Sequence, residues 1–363
     1  FRQPYGCFEQ VLSSAFPNVF ALQLLKATGK SDETTRNRAM MYLEDGYRKL
    51  ANYEVKKTGG FEWYGGSPAH EMLTAYGLVH FHELQKVYDK VDQRMIDRAM
   101  NFLLSRKDGK GGFSQNRGKY GFSAAPQNVN NAYIVYALNE IGSGEHIRAE
   151  YQSALKEAMD SKDIYRMALL ANAAYQSKDI VSYKKLVADF KEIISKEDDL
   201  SKLKIQATIV YSYGDAGIRE AIAYWLLALC KDSASFDTAL VEKCLDYIAK
   251  GKHGGSFGNT QATSVCLQAL TKYAMYIGAE SVKGSFSLKV NDNEPEGLVI
   301  KDYISRNIKP AIAFADKLKQ GKNTIVVDFK ERDTPTSFAV NVSWYSALPA
   351  TSPLCPLQLT TRI

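Results

Sequence analysis

Helical periodicity extends along most of this chain, from residue 11 to about residue 279. Apolar residues recur at helical spacing in short stretches separated by Gly or polar turns, which predicts a mainly α protein. Pro17 fits the first position of a helix, so the pattern predicts a break after Phe16 and a new helix over residues 18–27. Further helices are predicted over residues 33–50, 69–86, 92–106, 127–141, 147–159, 162–175, 179–194, 200–212, 216–230, 235–250 and 260–277.

A weak internal repeat indicates how these helices are arranged. Each copy has a glycine turn, an aromatic residue and then a helix rich in small residues. An even series of helices with short connections favours stacked hairpins, and the repeat predicts that they close into an α/α toroid. A generic helical solenoid remains the alternative on periodicity alone. The glycine–aromatic turns lie at residues 59–61, 111–113 and 254–257, and the helices that follow them lie at 73–78, 131–138 and 263–270 respectively.

The pattern changes to strand-like alternation at Gly284. Residues 285–290, 323–329 and 338–345 each alternate between apolar and polar positions. Because so few strands make an unstable sheet on their own, we expect them to pair with strands that are not in this sequence.

The composition is that of an ordinary soluble globular protein, with 45% hydrophobic and 24% charged residues among 363. The net charge of +6 comes from basic residues interspersed with acidic ones, so we expect no nucleic-acid partner. No apolar run reaches membrane-spanning length. The chain opens directly on its most distinctive motif, and we expect it to be a piece of a longer protein.

The five cysteines have spacings that fit neither a zinc site nor a CxxC redox pair, so we expect no metal or cofactor. The odd count leaves at least one cysteine unpaired. Cys230, Cys244 and Cys266 lie in apolar helical sequence, which predicts buried free thiols. Cys355 lies in a Pro-rich tail and could pair elsewhere in a longer protein.

The run Pro-Tyr-Gly-Cys-Phe-Glu-Gln at residues 4–10 carries the candidate chemistry. If a helix begins at Gly6-Cys7, positions three apart share one face, and the Cys7 thiol can reach the side-chain carbonyl of Gln10. Attack with loss of ammonia would give a thioester. The helix N-terminus is expected to favour the Cys7 thiolate. Pro4 and Gly6 would fix the sharp entry, and Glu9 suits the helix dipole.

This run resembles the thioester signature of the α2-macroglobulin and complement superfamily of thioester-containing proteins. The usual animal signature has glycine at the position of Phe8, and versions with a bulkier residue resemble the bacterial branch. The resemblance covers nearly the whole chain. Further stretches similar to the family lie at residues 17–22, 46–47, 60–65, 73–76, 256–263, 267–270 and 355–361.

The resemblance implies a thioester-containing α/α toroid inserted in a small CUB-like β-sandwich. It places the toroid at residues 1–283, the C-terminal part of the CUB-like domain at 284–349, and a linker towards the next module at 350–363. The implied location is extracellular, or periplasmic or cell-surface in a bacterium. The other domains of the parent chain are expected partners.

The implied activity is a single covalent capture and not enzymatic turnover. In the family, proteolysis exposes the shielded thioester, and a lysine amine or a hydroxyl of the target attacks the acyl group. The bond would then pass through Gln10, with Cys7 released as thiol. The expected function is that of an α2-macroglobulin-like endopeptidase inhibitor, with a complement-like opsonin that tags surfaces as the alternative.

One departure from the complement pattern bears on the target. Members that transfer efficiently to hydroxyls have a histidine after the second Gly-Phe turn, whereas residues 113–122 contain none. The histidines at positions 70, 80, 82, 146 and 253 are expected to have surface or capping roles. The sequence therefore predicts uncatalysed transfer that favours amines over hydroxyls.

A thioester must be kept dry, because water is the competing nucleophile. Aromatic residues close to the motif or to the first Gly-Phe turn are candidates for shielding, although ordinary packing is an equally good interpretation of each. These candidates are Tyr5, Phe8, Phe61, Trp63 and Tyr64.

Two other classes of function stay open. Toroid enzymes of the prenyltransferase and terpenoid-cyclase kind share the glycine–aromatic turns, but they need an Asp-rich motif or a zinc site. Asp198-Asp199 lies in a charged stretch, and His253 and Cys266 lack a third partner. The remaining alternative is a non-covalent binding module in which the thioester never forms.

Overall fold

The computed structural model describes residues 4–28, 33–116, 125–210, 212, 214–232, 236–252, 256–276, 284–294, 296–299, 312–330 and 357–358. The chain divides into two compact units, residues 1–277 and 278–363. The first unit is helical and the second contains strands. The predicted domain limits at residues 283, 349 and 363 remain a prediction.

The helices of the first unit form a closed double ring. The inner helices α1, α3, α5, α7, α9 and α11 each pack on the next, and α11 packs back on α1. The outer helices α2, α4, α6, α8 and α10 pack on α1, α3, α5, α7 and α9 respectively. This arrangement confirms the predicted α/α toroid. In chain order the helices are Phe8–Thr28, Glu33–Ala51, Glu71–Gln85, Gln93–Ser105, Gln127–Glu140, Arg148–Ser161, Ile164–Gln176, Ile180–Ser195, Gly214–Leu229, Thr238–Lys250 and Thr260–Tyr276.

The inner helices run in the same direction. Residues near the C-terminal ends of α3, α5, α7, α9 and α11 line one cavity of about 360 Å³. Their N-terminal ends therefore lie at the opposite end of the ring, where α1 also begins.

The glycine–aromatic repeat has a structural counterpart at each position. The aromatic residues Phe61, Phe113 and Phe257 are buried. The backbone N–H of each donates a hydrogen bond to a side chain in the following inner helix, at 2.9, 3.2 and 3.0 Å respectively. The acceptors are Thr74, Asn131 and Thr263. Each turn is thereby fastened to the helix that follows it.

Two of the helix predictions are wrong. Helix α1 continues through Pro17, because Phe16, Val19 and Phe20 all pack into the core and outweigh the one lost backbone bond. Between positions 200 and 212, the described residues contain only a short 3₁₀ turn, at Leu200–Lys202. Asp163, which caps α7, accepts a bond from the Gln206 backbone N–H at 2.7 Å and holds this stretch as a loop.

The second unit contains a small antiparallel sheet in which the strand at residues 285–290 lies between the strands at 296–299 and 325–330. Strand β1 is Ser285–Val290, β2 is Glu296–Val299 and β4 is Ile325–Lys330. The predicted strands at 285–290 and 323–329 are confirmed, β2 was missed, and residues 338–345 lie outside the described residues. Residues Gly321–Lys322 (β3) and Leu357–Gln358 (β5) form a short parallel pair. The CUB-like assignment of this unit stays a prediction.

No helix among the described residues is long and apolar enough to cross a membrane.

Candidate functional site

The two residues of the candidate thioester lie together at the start of α1. Cys7 precedes the first helical residue, Phe8, and its carbonyl accepts the bond from Val11 N at 2.9 Å. The Cys7 N–H donates to the side-chain Oε1 of Gln10 at 3.1 Å. This is the side-chain half of a capping box, in which the third helical residue reaches back to the cap. The Gln10 carboxamide is therefore folded back onto Cys7.

The turn before the helix brings these groups together. Gly6 has φ +99°, and a Cβ at this position would lie 2.1 Å from the Gln10 Oε1 atom. Only glycine fits this conformation and this close approach. Pro4 is buried, packs beside Gly46 of α2, and its carbonyl accepts a bond from Lys49 Nζ at 2.6 Å. The chain entering the site is thus anchored on α2.

Phe8 anchors the first turn of α1 in the core. Its N–H donates to the Trp63 carbonyl at 2.9 Å, which satisfies one of the free donors of the helix start. Its ring stacks on Phe61 with 4.5 Å between centroids. Gly77 of α3 leaves the space, since a Cβ there would lie 2.7 Å from Phe8 Cζ. Phe8, Phe61 and Trp63 are all buried beneath the site.

The side of the candidate site that faces away from the helical core is exposed in this chain. Tyr5 is 77% exposed and Tyr64 is 63% exposed. Gln10 is exposed, whereas Cys7 is only 6% exposed. The acyl-bearing side chain is therefore accessible while the thiol is buried. The shielding role predicted for Tyr5, Phe8, Phe61, Trp63 and Tyr64 stays a prediction.

Glu9 connects the two helices at which the ring closes. Its Oε1 accepts hydrogen bonds from Thr260 Oγ1 at 2.8 Å and from Ser13 Oγ at 3.2 Å. Thr260 is the first residue of α11. Glu9 thus lies at two helix N-termini, where a carboxylate is favoured.

The expectation of a favoured Cys7 thiolate is wrong. Burial raises the pKa of the Cys7 thiol above its ordinary value of 9.0, although hydrogen bonding from the Gln10 backbone opposes this change. The nearby Glu9 charge raises that pKa further. Desolvation and a neighbouring anion therefore outweigh the helix N-terminus.

Tyr53, just beyond the end of α2, is a site residue that the sequence analysis missed. Its hydroxyl donates to the Gly6 carbonyl at 2.7 Å. Its ring meets those of Phe8 and Tyr64 edge to face, with centroids 6.3 and 6.5 Å apart. Burial raises the pKa of Tyr53, and the charge of Cys7 raises it further. No local pattern indicates a contact between residues 47 positions apart.

The histidines do not form a catalytic group with Cys7 or Gln10 in the part of the chain that the structure describes. His70 is the N-cap of α3, as expected, because its Nδ1 accepts from Leu73 N at 3.4 Å. The surface or capping expectation is wrong for His80, which is buried with its ring 3.6 Å from that of Phe16. Burial lowers the pKa of His80 to about 3. His253 and residues 117–122 lie outside the described residues.

The other cysteines that the structure describes are free thiols. Cys244 and Cys266 are buried and Cys230 is half-buried. Cys355 lies outside the described residues. No group of three His, Cys, Asp or Glu side chains suited to a metal occurs within the described ranges.

Comparisons with known proteins identify the family of this chain. The family model of the A-macroglobulin TED domain matches residues 1–273, and the chain belongs to this family of thioester-containing domains. It is 25% identical over 277 residues to thioester-containing protein 1 allele S3 of Anopheles gambiae, covering 75% of this chain and 20% of the relative. It is 24% identical over 350 residues to alpha-2-macroglobulin-like protein 1 of Mus musculus, covering 90% of this chain and 23% of the relative. The chain thus spans about a fifth of the length of these relatives.

Proposed function

We propose that Cys7 and Gln10 form an internal thioester and that this chain is the reactive domain of a covalent protein trap. The observation that carries the proposal is the bond from the Cys7 N–H to Gln10 Oε1 at 3.1 Å. It holds the carboxamide against the residue whose sulfur would attack it. Gly6 supports the same proposal, because any side chain there would displace that oxygen.

The reaction needs two acyl transfers. In the first, Cys7 Sγ attacks Gln10 Cδ, the C–N bond breaks and ammonia leaves, which gives the thioester. In the second, a target amine attacks Cδ, the C–S bond breaks, and the proton lost by the amine is taken up by the sulfur. The products are an amide between Gln10 and the target and a free Cys7 thiol. Negative charge develops on Oε1 in both steps, and the Cys7 N–H is the donor that would stabilise it.

Burial of Cys7 suits a site that reacts once. A raised pKa makes the thiolate a poor leaving group, so the thioester is protected while Cys7 stays buried. Exposing the sulfur to water would lower this barrier. A conformational change that uncovers Cys7 would therefore trigger capture.

The favoured targets are lysine amines rather than hydroxyls. Efficient transfer to hydroxyls requires a nucleophilic side chain at the acyl group, whereas the Nδ1 atoms of His70 and His80 are bonded to the backbone of their own helix, α3. An amine needs no such help, because it is the stronger nucleophile. No cofactor or metal takes part in the proposed chemistry.

Matched probes test this preference. We expect methylamine to label Gln10 in the full-length protein and glycerol to label it far more slowly at equal concentration. Peptide mapping after each incubation measures the two products. Rapid formation of a glycerol ester at Gln10 would contradict the proposed amine preference.

The parent protein is proposed to be a secreted endopeptidase inhibitor that captures proteases through their lysines. The similarity to an alpha-2-macroglobulin-like protein supports this role, and a complement-like opsonin that tags surfaces is the second candidate. A periplasmic or cell-surface location applies if the source is bacterial. The match of the A-macroglobulin TED domain model over residues 1–273 favours the thioester domain over the toroid-enzyme alternative.

Capture experiments separate these roles. We expect a protease that cleaves the full-length protein to become covalently attached through Gln10. Attachment to cell surfaces but never to the activating protease would favour the tagging role.

A further inference from the structure

The hydroxyl of Tyr53 and the side chain of Gln10 bind opposite ends of one peptide group. Tyr53 Oη donates to the Gly6 carbonyl at 2.7 Å. The Cys7 N–H of that same peptide donates to Gln10 Oε1 at 3.1 Å. A bond that orients the carbonyl therefore also orients the N–H.

The peptide between Gly6 and Cys7 needs such an anchor. Gly6 has φ +99°, a conformation that glycine reaches but does not strongly prefer over others. Without a bond to its carbonyl, this peptide can rotate, and its N–H can turn away from Gln10. A donor at the carbonyl also polarises the N–H and strengthens the hydrogen bond that it gives.

Tyr53 is itself held firmly. Its backbone N–H donates to the Leu50 carbonyl at 3.0 Å, and its carbonyl accepts from Glu62 N at 3.4 Å. Its ring lies edge-on to Phe8. The position of the phenol is thus set by the end of α2 and by the loop before α3.

We propose that Tyr53 is a positioning residue that holds the Gly6–Cys7 peptide so that its N–H stays on the acyl oxygen of Gln10 as the thioester closes and opens. This proposal rests on the proposed thioester function. When a nucleophile adds to Gln10 Cδ, the electron pair of the carbonyl moves onto Oε1, and the Cys7 N–H faces this charge. The pair returns when the C–S bond breaks, and the sulfur takes the proton of the nucleophile.

Replacing Tyr53 by Phe removes only the hydroxyl. We expect the rates of methylamine labelling and of spontaneous hydrolysis to fall together, by roughly threefold to tenfold, which is the range that one hydrogen bond supplies. Both reactions pass through the same charged oxygen, so both slow down. A purely structural or shielding role predicts the opposite, because a looser site would hydrolyse faster.

A matched control is Tyr42→Phe. Tyr42 lies on α2 and is also half-buried, and its hydroxyl makes no hydrogen bond among the described residues. We expect this variant to react at the wild-type rate. The midpoint temperatures of thermal unfolding of both variants should equal that of the wild type. A change in rate then cannot come from a loss of fold.

The proposal is overturned if Tyr53→Phe folds like the wild type and reacts at an unchanged or higher rate. The proposal is supported if Tyr53→Phe folds and reacts more slowly than the wild type with methylamine and water, or if it folds and never closes its thioester. If Tyr53→Phe does not fold, 3-fluorotyrosine at position 53, whose more acidic hydroxyl is a stronger donor, must react at the wild-type rate or faster, and slower reaction there overturns the proposal. Wild-type protein without any labelling would instead refute the proposed thioester itself.

Discussion

At the scale of single residues, Gly6 decides whether the site can exist. Its φ of +99° costs an ordinary L-residue about 1–2 kcal/mol. Its missing Cβ leaves the space that the Gln10 oxygen occupies. Backbone strain and a steric clash would therefore act together at one position, and a suitable control can separate them.

Gly6→Ala is expected to abolish methylamine labelling of Gln10 while the protein stays folded. Gly109→Ala is the matched control, because Gly109 also has a positive φ of +73° but has no atom within 4 Å of its Cβ position. The positive φ should cost both variants about 1–2 kcal/mol of stability, and only Gly6→Ala should lose labelling. Normal labelling of Gly6→Ala would show that the close approach to Gln10 is not needed.

The chemistry of Cys7 shows the limit of sequence analysis at this scale. The run at residues 4–10 predicts that Cys7 and Gln10 share one face of a helix start, and the structure shows the Cys7 N–H bonded to Gln10 Oε1. The reach of the Cys7 thiol to Gln10 stays a prediction. The direction in which the Cys7 pKa moves was mispredicted, because burial, which depends on the fold of the whole chain, raises that pKa. Tyr53 was missed for the same reason. Local sequence gives spacing, whereas desolvation is a property of the folded chain.

At the scale of elements, α1 shows how tertiary packing overrides local signals. Pro17 predicts a helix boundary, yet α1 runs unbroken from Phe8 to Thr28 because its apolar residues pack on α2, α3 and α11. Residues 203–210 show the reverse case, because their sequence has a helical pattern but they form a loop. Ala207 and Ile209 are apolar because this loop is buried, and not because it is a helix.

Two buried glutamates on the inner helices should respond to pH in opposite directions. Burial raises the pKa of Glu220, on α9, from 4.5 to about 8. Burial also acts on Glu83, on α3, but Lys272 and Lys86 lower its pKa to about 2. Glu220 is thus held as the neutral acid and Glu83 as the carboxylate.

The pH dependence of stability follows from how tightly each carboxyl group binds its proton in the folded and unfolded states. Glu220 binds its proton more tightly in the folded state, because its pKa is raised there. The stabilisation that this gives is lost as pH rises from about 4.5 to about 8. Glu83 is more readily ionised in the folded state, because its pKa is lowered there. The stabilisation that this gives is lost as pH falls from 4.5 to about 2. A tenfold difference in proton affinity between the folded and unfolded states corresponds to roughly 1.4 kcal/mol, so stability changes of a few kcal/mol are expected.

Thermal unfolding of Glu220→Gln and Glu83→Gln between pH 3 and pH 9 measures both effects. We expect Glu220→Gln to be more stable than the wild type at pH 9 and nearly equal to it at pH 4. Glu83→Gln should be less stable at pH 7, with the difference shrinking towards pH 3. A pH-independent difference for either variant would contradict the assigned protonation state.

At the scale of the whole molecule, the toroid brings the two ends of the helical unit together at the site. Glu9 in the first turn of α1 accepts a bond from Thr260, the first residue of α11, at 2.8 Å. The glycine–aromatic repeat predicted this closure, because each copy places an inner helix in the same orientation. The site is therefore built where the first and last helices of the ring meet.

The intact mass of freshly purified full-length protein, with and without methylamine, tests the thioester most directly. We predict that the untreated protein lacks one ammonia relative to its sequence, and that methylamine adds once, at Gln10, with release of the Cys7 thiol. Cys7→Ala should show neither change. A free Cys7 thiol together with an unmodified Gln10 amide in the untreated protein would contradict the thioester.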